Sequence, residues 1–316
     1  MTIDKNVEAA LVAGAHKELA YLEQFGQPLL PFRRWRREGY QYQEQSPSSH
    51  VENLNRYLLT ASSLVPRNPV LSHFCIRHPD VQQGNIILSK SADSDWKIIS
   101  LIDWQRTPIL PLFTIAGVPH SLENYDDPVS QSMTYPSLPE DFDEYDENKR
   151  ARAEEMYRRR LVHYHYLTNM EKYNEPHYAV ETDSMYVLRR RLFYQSSEWW
   201  RGETLDLKTS LIRAMEKWEA LTGGGVPCPL VFDADEVQET IELNELQTRM
   251  DGIMKKLRDA LGMGVEGWVP IQNYEGVMAC SKEMKTNALD GVDTAKEREE
   301  TMNNWPFDDM DEEKYM

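Results

Sequence analysis

The sequence predicts an α+β protein that is predominantly helical, with one small β-hairpin region. Three observations carry this. Apolar residues recur at steps of three or four over most of the chain, the period of a helix with one buried face. Only three short runs, all between residues 74 and 102, combine β-branched residues with strand length. Hydrophobic residues fill 41% of the 316 positions and include 8 Trp, a composition that supports a buried core and argues against disorder.

Residues 3–25 read as an amphipathic helix, with Val7, Leu11, Ala15, Leu19 and Leu22 on one face and Pro28 and Pro31 beyond its end. Residues 33–49 are polar. Their cluster Arg33, Arg34, Arg36 and Arg37 around Trp35 reads as a solvated loop with an aromatic anchor, an anion site being the alternative. A second helix covers 50–64. The runs Phe74–Arg77, Ile86–Ser89 and Lys97–Ile102 read as strands, and 89–95 as the loop of a hairpin. From Pro108 to Asn148 prolines make the chain loop-like, ending in an acidic run over 140–147 that reads as solvated surface. Helices then follow at 149–172, 182–200, 205–222, 236–260 and 271–288. The fourth of these is capped by Asp233 or Asp235 and stopped at Gly262. Residues 289–316 are charged and aperiodic and read as a disordered acidic tail, so the expected organisation is a folded body over 1–288 and a tail over 289–316.

Lys and Arg number 35 and Asp and Glu 52, a formal charge of −17. That excludes a dedicated nucleic-acid binder, which needs a basic face to neutralise phosphates, and a polybasic membrane-surface protein. No apolar run reaches the ~18 residues a membrane-spanning helix needs, so no membrane insertion is expected. The first residues contain Asp4, Glu8 and Glu18 and no Arg, which fits neither a secretory signal nor a transit peptide and predicts a cytoplasmic address. Cys75, Cys228 and Cys280 are far apart and form no metal-binding spacing.

The residues that carry chemistry lie in CIRHPDVQQGNIILSKSADSDWKIISLIDW, residues 75–104. His78-x-Asp80 precedes Asn85, and a strand, a loop and a second strand lead to Ile102-Asp103-Trp104. Phosphoryl transfer calls for this set. The transferred group is heavily charged, so catalysis is mostly positioning and charge neutralisation. A carboxylate must accept the proton of the attacking hydroxyl, which Asp80 would do from a loop. Mg²⁺ takes hard oxygen ligands, which the Asn85 amide and the Asp103 carboxylate supply. His78 would brace the loop. The bland alternative is that Asp80 caps a turn and Asp103 a strand end.

His78-Pro79-Asp80-Val81-Gln82-Gln83-Gly84-Asn85-Ile86 resembles the catalytic loop of the aminoglycoside phosphotransferase and choline kinase-like superfamily, and Ile102-Asp103-Trp104-Gln105 resembles its metal-binding motif. Pro111-Leu112-Phe113, Val118-Pro119 and Pro136-Ser137-Leu138-Pro139-Glu140-Asp141-Phe142 are similar to the fungal altered-inheritance-of-mitochondria phosphotransferase-like branch. The resemblance covers about residues 8–180. It implies a bilobal kinase-like fold binding ATP and Mg²⁺, Asp80 as base, Asn85 and Asp103 as metal ligands, and an association with mitochondria.

Two departures stand out. Where the family has a basic residue two positions after the catalytic Asp, this chain has Gln82. Only 77 residues precede His78, and they contain no Gly-rich phosphate loop and no Val-Ala-x-Lys strand, so the expectation is a kinase-like C-terminal lobe with its N-terminal lobe missing. Two functions follow as expectations: an ATP- and Mg²⁺-dependent phosphotransferase acting on a hydroxyl of a small molecule, or a non-catalytic pseudokinase-like binding module. In either case the face that a second lobe would cover should be apolar, inviting a protein partner or self-association.

Overall fold

The computed structural model describes residues 6–90, 95–263, 268–308 and 315. The expectations on residues 1–5, on the hairpin loop 91–94 and on 309–314 of the tail lie outside the described residues. In chain order the helices are α1 (Val7–Phe25), α2 (Ser48–Thr60), α3 (Leu112–Ile115), α4 (Pro128–Gln131), α5 (Glu147–Tyr173), α6 (Glu175–Glu181), α7 (Tyr186–Gln195), α8 (Leu205–Glu216), α9 (Trp218–Thr222), α10 (Ala234–Leu261), α11 (Tyr274–Asp290) and α12 (Ala295–Asn303). The strands are β1 (Phe74–Ile76), β2 (Ile86–Lys90), β3 (Trp96–Leu101) and β4 (Ile109–Pro111). The protein is predominantly helical, with two small antiparallel sheets, β1–β4 and β2–β3.

The chain divides into two compact units. One comprises Met1–Ala10 and Leu64–Arg190, the other Leu11–Ser63 and Arg191–Met316. In the first unit, α5 packs against α6 and α4, and α6 against α3 and the turn Pro69–Ser72. Leu71, Phe113, Ile115, Val118, Met170 and Val180 are buried there. Asp146 caps α5 by accepting from the Lys149 N–H at 2.8 Å, which satisfies one of the orphan donors of a helix start. Strand β4 was not foreseen: Ile109–Pro111 sits in the proline-rich stretch, where Pro111 at an edge position leaves β1 its partner all the same.

In the second unit α8 packs against α2 and α10, and α10 also against the short 3₁₀ turn Arg34–Tyr40. Leu207 and Leu211 of the α8 stripe are buried, as are Leu54, Tyr57 and Leu192. Gly14 of α1 is required by close approach, since a Cβ there would lie 2.1 Å from Ser197 Oγ. Asp233 caps α10 through the Glu236 N–H at 2.7 Å.

Where predicted helices break, local hydrogen bonding explains it. The helix expected over 182–200 starts only at Tyr186 because the Asp183 carboxylate accepts from the Met185 N–H at 2.8 Å. It stops at Gln195 because Ser196 and Ser197 hydroxyls bond back to the Phe193 carbonyl, each at 2.9 Å. The stretch read as a disordered tail carries α12, which opens on a capping box between Thr294 and Glu297. Among the described residues no helix is long and apolar enough to cross a membrane.

Candidate functional site

Strand β1 delivers the chain to the loop that starts at Arg77. The Arg77 guanidinium donates to the carbonyl oxygens of Ile115 and Gly117, tying the loop to the segment after α3. Gly117 holds φ at +123°, and a Cβ there would come within 2.7 Å of the Arg190 guanidinium. Its N–H donates to His177 Nε2 at 3.0 Å. Burial pushes His177 down to about 4, so the imidazole is neutral and free to accept.

His78 is buried between this loop and the hairpin. Its Nε2 donates to the Ile102 carbonyl at 2.7 Å, and its Nδ1 accepts from the Asp80 N–H at 3.1 Å. Both bonds are satisfied by one tautomer, with the proton on Nε2. Its ring meets Trp104 edge-on, with centroids 4.8 Å apart.

Asn85, also buried, closes the loop on itself. Its Nδ2 donates to the Asp80 carbonyl at 2.8 Å and lies 3.3 Å from Asp80 Oδ2. Gln82 Nε2 donates to the same Oδ2 at 2.7 Å. Asp80 Oδ1 and Asn85 Oδ1 accept no hydrogen bond from the described residues. The Asn85 carbonyl accepts from the Ile102 N–H at 2.9 Å, which extends the β2–β3 pairing by one step beyond Ile86–Leu101. Asp103 follows at once, in left-handed backbone at φ +65°. Asp is among the few side chains that adopt this region at modest cost.

The backbone thus brings the loop carrying Asp80 and Asn85 to the strand end carrying Asp103. All three lie in the first unit, with Asp80 and Asp103 exposed. The chemistry on offer is a set of hard oxygen donors, one amide and two carboxylates. Among the described residues no group of three or more His, Cys, Asp or Glu side chains is placed to hold a metal ion.

The hairpin itself is exposed on both faces. Trp96, Ile98 and Ile99 are each more than 60% accessible, and Ile87, Leu88 and Ile102 more than 40%. The register between Ile87 and Leu88 is broken by a bulge that leaves Ile99 unpaired. Ile76 and Ile109 of the β1–β4 sheet are exposed too.

Two concave features lie elsewhere, and neither is lined by Asp80, Asn85 or Asp103. In the first unit a groove of about 570 Å³ runs along α5, bounded by Leu122, Leu161, Tyr166, Met170 and His177. In the second unit a polar cavity of about 40 Å³ is lined by Phe32, Arg33, His50, Gln195, Glu203 and Thr204, too small for a nucleotide. His50 bonds Thr204 Oγ1 at 2.8 Å and stacks on Trp200, and burial pushes its pKa down to about 4.

The basic cluster over 33–37 is not a solvated loop. Arg36 is 5% exposed and pairs with Glu203 at 3.2 Å, Asp206 at 3.3 Å and Asp251 at 2.6 Å. Burial opposes its charge, yet the hydrogen bond to Asp251 and the carboxylates around it hold its pKa above the ordinary value. Trp35 joins the cluster, donating to Asp251 at 2.7 Å. The expectation failed because these carboxylates stand more than 160 positions away along the chain.

No family model and no solved structure matches the chain. The chain is similar to a protein of Aspergillus fumigatus described as a subtelomeric hrmA-associated cluster protein, found in two strains of that fungus. Against each, identity is 26% over 268 residues, covering 84% of this chain and 51% of the relative. The chain therefore spans about half the length of the curated relatives it matches.

Proposed function

We propose that the first unit carries part of a phosphotransferase site of the aminoglycoside phosphotransferase and choline kinase-like kind, on a kinase-like C-terminal lobe. One observation carries the reading. His78 and Asn85 both bond Ile102, which sets the residue before Asp103 against the loop that holds Asp80 and Asn85. A local cap at each Asp would not require that long-range tie.

The donor set fits magnesium, with the Asn85 amide oxygen and the Asp103 carboxylate as ligands. Bound there with ATP, the ion would neutralise phosphate charge during transfer. The chain's own groups supply the rest. Asp80 Oδ1 takes the proton of a small-molecule hydroxyl, while Gln82 and Asn85 hold Oδ2. His78 fixes the loop to the hairpin. Gln82 offers a hydrogen bond where a cation would offer charge, so attraction to the transferred phosphate is weaker.

The test is ADP release from Mg²⁺–ATP in the presence of a panel of hydroxylated small molecules. Asp80→Asn should lower the rate by about 10²–10⁴-fold. Absence of any Asp80-dependent ADP release would leave the second reading, a binding module. The exposed apolar hairpin favours that reading, because it offers a face to a protein partner or a second copy.

A further inference from the structure

The groove along α5 lies wholly in the first unit, the unit that also holds Asp80. Val162, Tyr166, Met170 and Tyr173 line it at helical steps of three or four, so they share one face of α5. Asp, Glu, Lys and Arg make up 28% of the chain, yet none of them is among the described residues that line this groove. His177 is neutral, its pKa pushed down to about 4 by burial. Burial raises the pKa of the Tyr166 hydroxyl, and the nearby Arg77 charge opposes that rise. Neither group carries charge at neutral pH. A charged ligand would lose its hydration here with no ion to repay it, so the lining selects an uncharged one. The volume of about 570 Å³ lies within the roughly 300–1,000 Å³ of small-molecule sites.

Two lining residues are tied to the loop that carries Asp80. Leu122 is the first: buried His163 of α5 donates from Nδ1 to its carbonyl at 3.2 Å. The neighbouring Ser121 hydroxyl donates to the carbonyl of Val81, next to Asp80. His177 is the second. It accepts the Gly117 N–H at 3.0 Å, and the Gly117 carbonyl accepts from Arg77, next to His78. The groove and the loop 77–81 therefore share two supports, at Gly117 and at Ser121–Leu122.

We propose that the α5 groove binds the apolar body of an uncharged amphipathic alcohol, the acceptor whose hydroxyl meets Asp80. The fate of the hydroxyl rests on the phosphotransferase reading, and the binding rests on the groove alone. At the hydroxyl, the O–H proton passes to Asp80 and the alcohol oxygen bonds the γ-phosphorus of ATP. The bond from that phosphorus to the β-phosphate oxygen breaks, and ADP leaves. An amine or a compact polyol would leave the apolar wall uncovered and is held less well.

The experiment titrates the full chain with a dansyl-tagged dodecanol, below the concentration at which the probe self-associates, and reads its fluorescence. Leu161→Trp fills the groove and should weaken saturable binding at least about tenfold. Asn169→Trp, at an exposed position of the same lining, gives the same comparison should Leu161→Trp fail to fold. No saturable binding, or equal binding by the unaltered chain and a folded groove variant, overturns the proposal. ADP release separates this inference from the reading it rests on. Groove-dependent binding without any Asp80-dependent ADP release upholds the binding site and overturns the phosphotransferase. Asp80-dependent release driven by inositol or ethanolamine, and not by the dodecanol, overturns this inference and upholds the phosphotransferase.

Discussion

His78 Nε2 lies 2.7 Å from the carbonyl oxygen of Ile102, joining residues 24 positions apart and setting the loop of Asp80 against the strand end of Asp103. The same imidazole accepts the Asp80 N–H, so one buried side chain fixes both partners of the candidate site.

His78→Ala removes both bonds, the edge-on contact with Trp104 and a buried ring. Leaving the Asp80 N–H without its acceptor adds to the cost. The first unit should lose about 2–4 kcal/mol, read as a fall in its urea midpoint at unchanged slope. His78→Gln, which keeps a donor for Ile102, should recover part of that loss.

The hairpin side chains Trp96, Ile98 and Ile99 have little to lose in stability because they are exposed. Ile98→Asp should leave the melting transition within about 0.5 kcal/mol of the unaltered chain. It should also reduce concentration-dependent association in sedimentation velocity. A chain that is monomeric at high concentration before any substitution would show that the apolar face is not an association surface.

Asp127 receives two bonds from Arg160, at 2.6 and 3.0 Å, and caps α4 through the Ser130 N–H at 2.9 Å. The Arg160 hydrogen bonds hold its carboxyl down at about 2, below the ordinary value of 3.8. A folded pKa below the unfolded one gives stability that is full above about pH 4 and is lost as pH falls toward 2. After solvent screening this amounts to about 1 kcal/mol. The difference in urea midpoint between the unaltered chain and Asp127→Asn should therefore shrink over that window and stay constant above it.

Gly117→Ala meets the Arg190 guanidinium and a backbone at φ +123° together. The strain should cost about 1–3 kcal/mol and shift the Arg77 and His177 contacts with this residue. Replacing Gly84, which has open space around it, should cost less by the same urea measurement.

Much of the helical content was legible because single faces such as Leu207 and Leu211 are periodic over several turns. The hairpin was legible from β-branched density, and β2 and β3 fall within one residue of expectation. The candidate site was legible as a motif because its members are close in sequence. What sequence could not show was remote. Arg36 looked solvated because Glu203, Asp206 and Asp251 stand more than 160 positions away, and Tyr315 looked like part of a tail because its contacts Phe32 and Arg37 are nearly the whole chain away. The break before α7 was readable in principle, since Asp183 stands where a cap would. The Thr294–Glu297 box also announces α12, but net charge hid both it and the helix that follows.

If Asn85 and Asp103 bind magnesium with ATP, as proposed, the ligand raises the thermal transition of the first unit. Asp103→Asn is the right variant, because asparagine keeps the shape and tolerates the left-handed backbone, whereas alanine would add strain. Ligand at tenfold its dissociation constant contributes about 1.4 kcal/mol, a rise of roughly 3–6 °C. That rise is expected with millimolar Mg²⁺–ATP in the unaltered chain, and its loss in Asp103→Asn, whose transition without ligand stays in place. An equal rise in both proteins, or none in the unaltered chain, would contradict it.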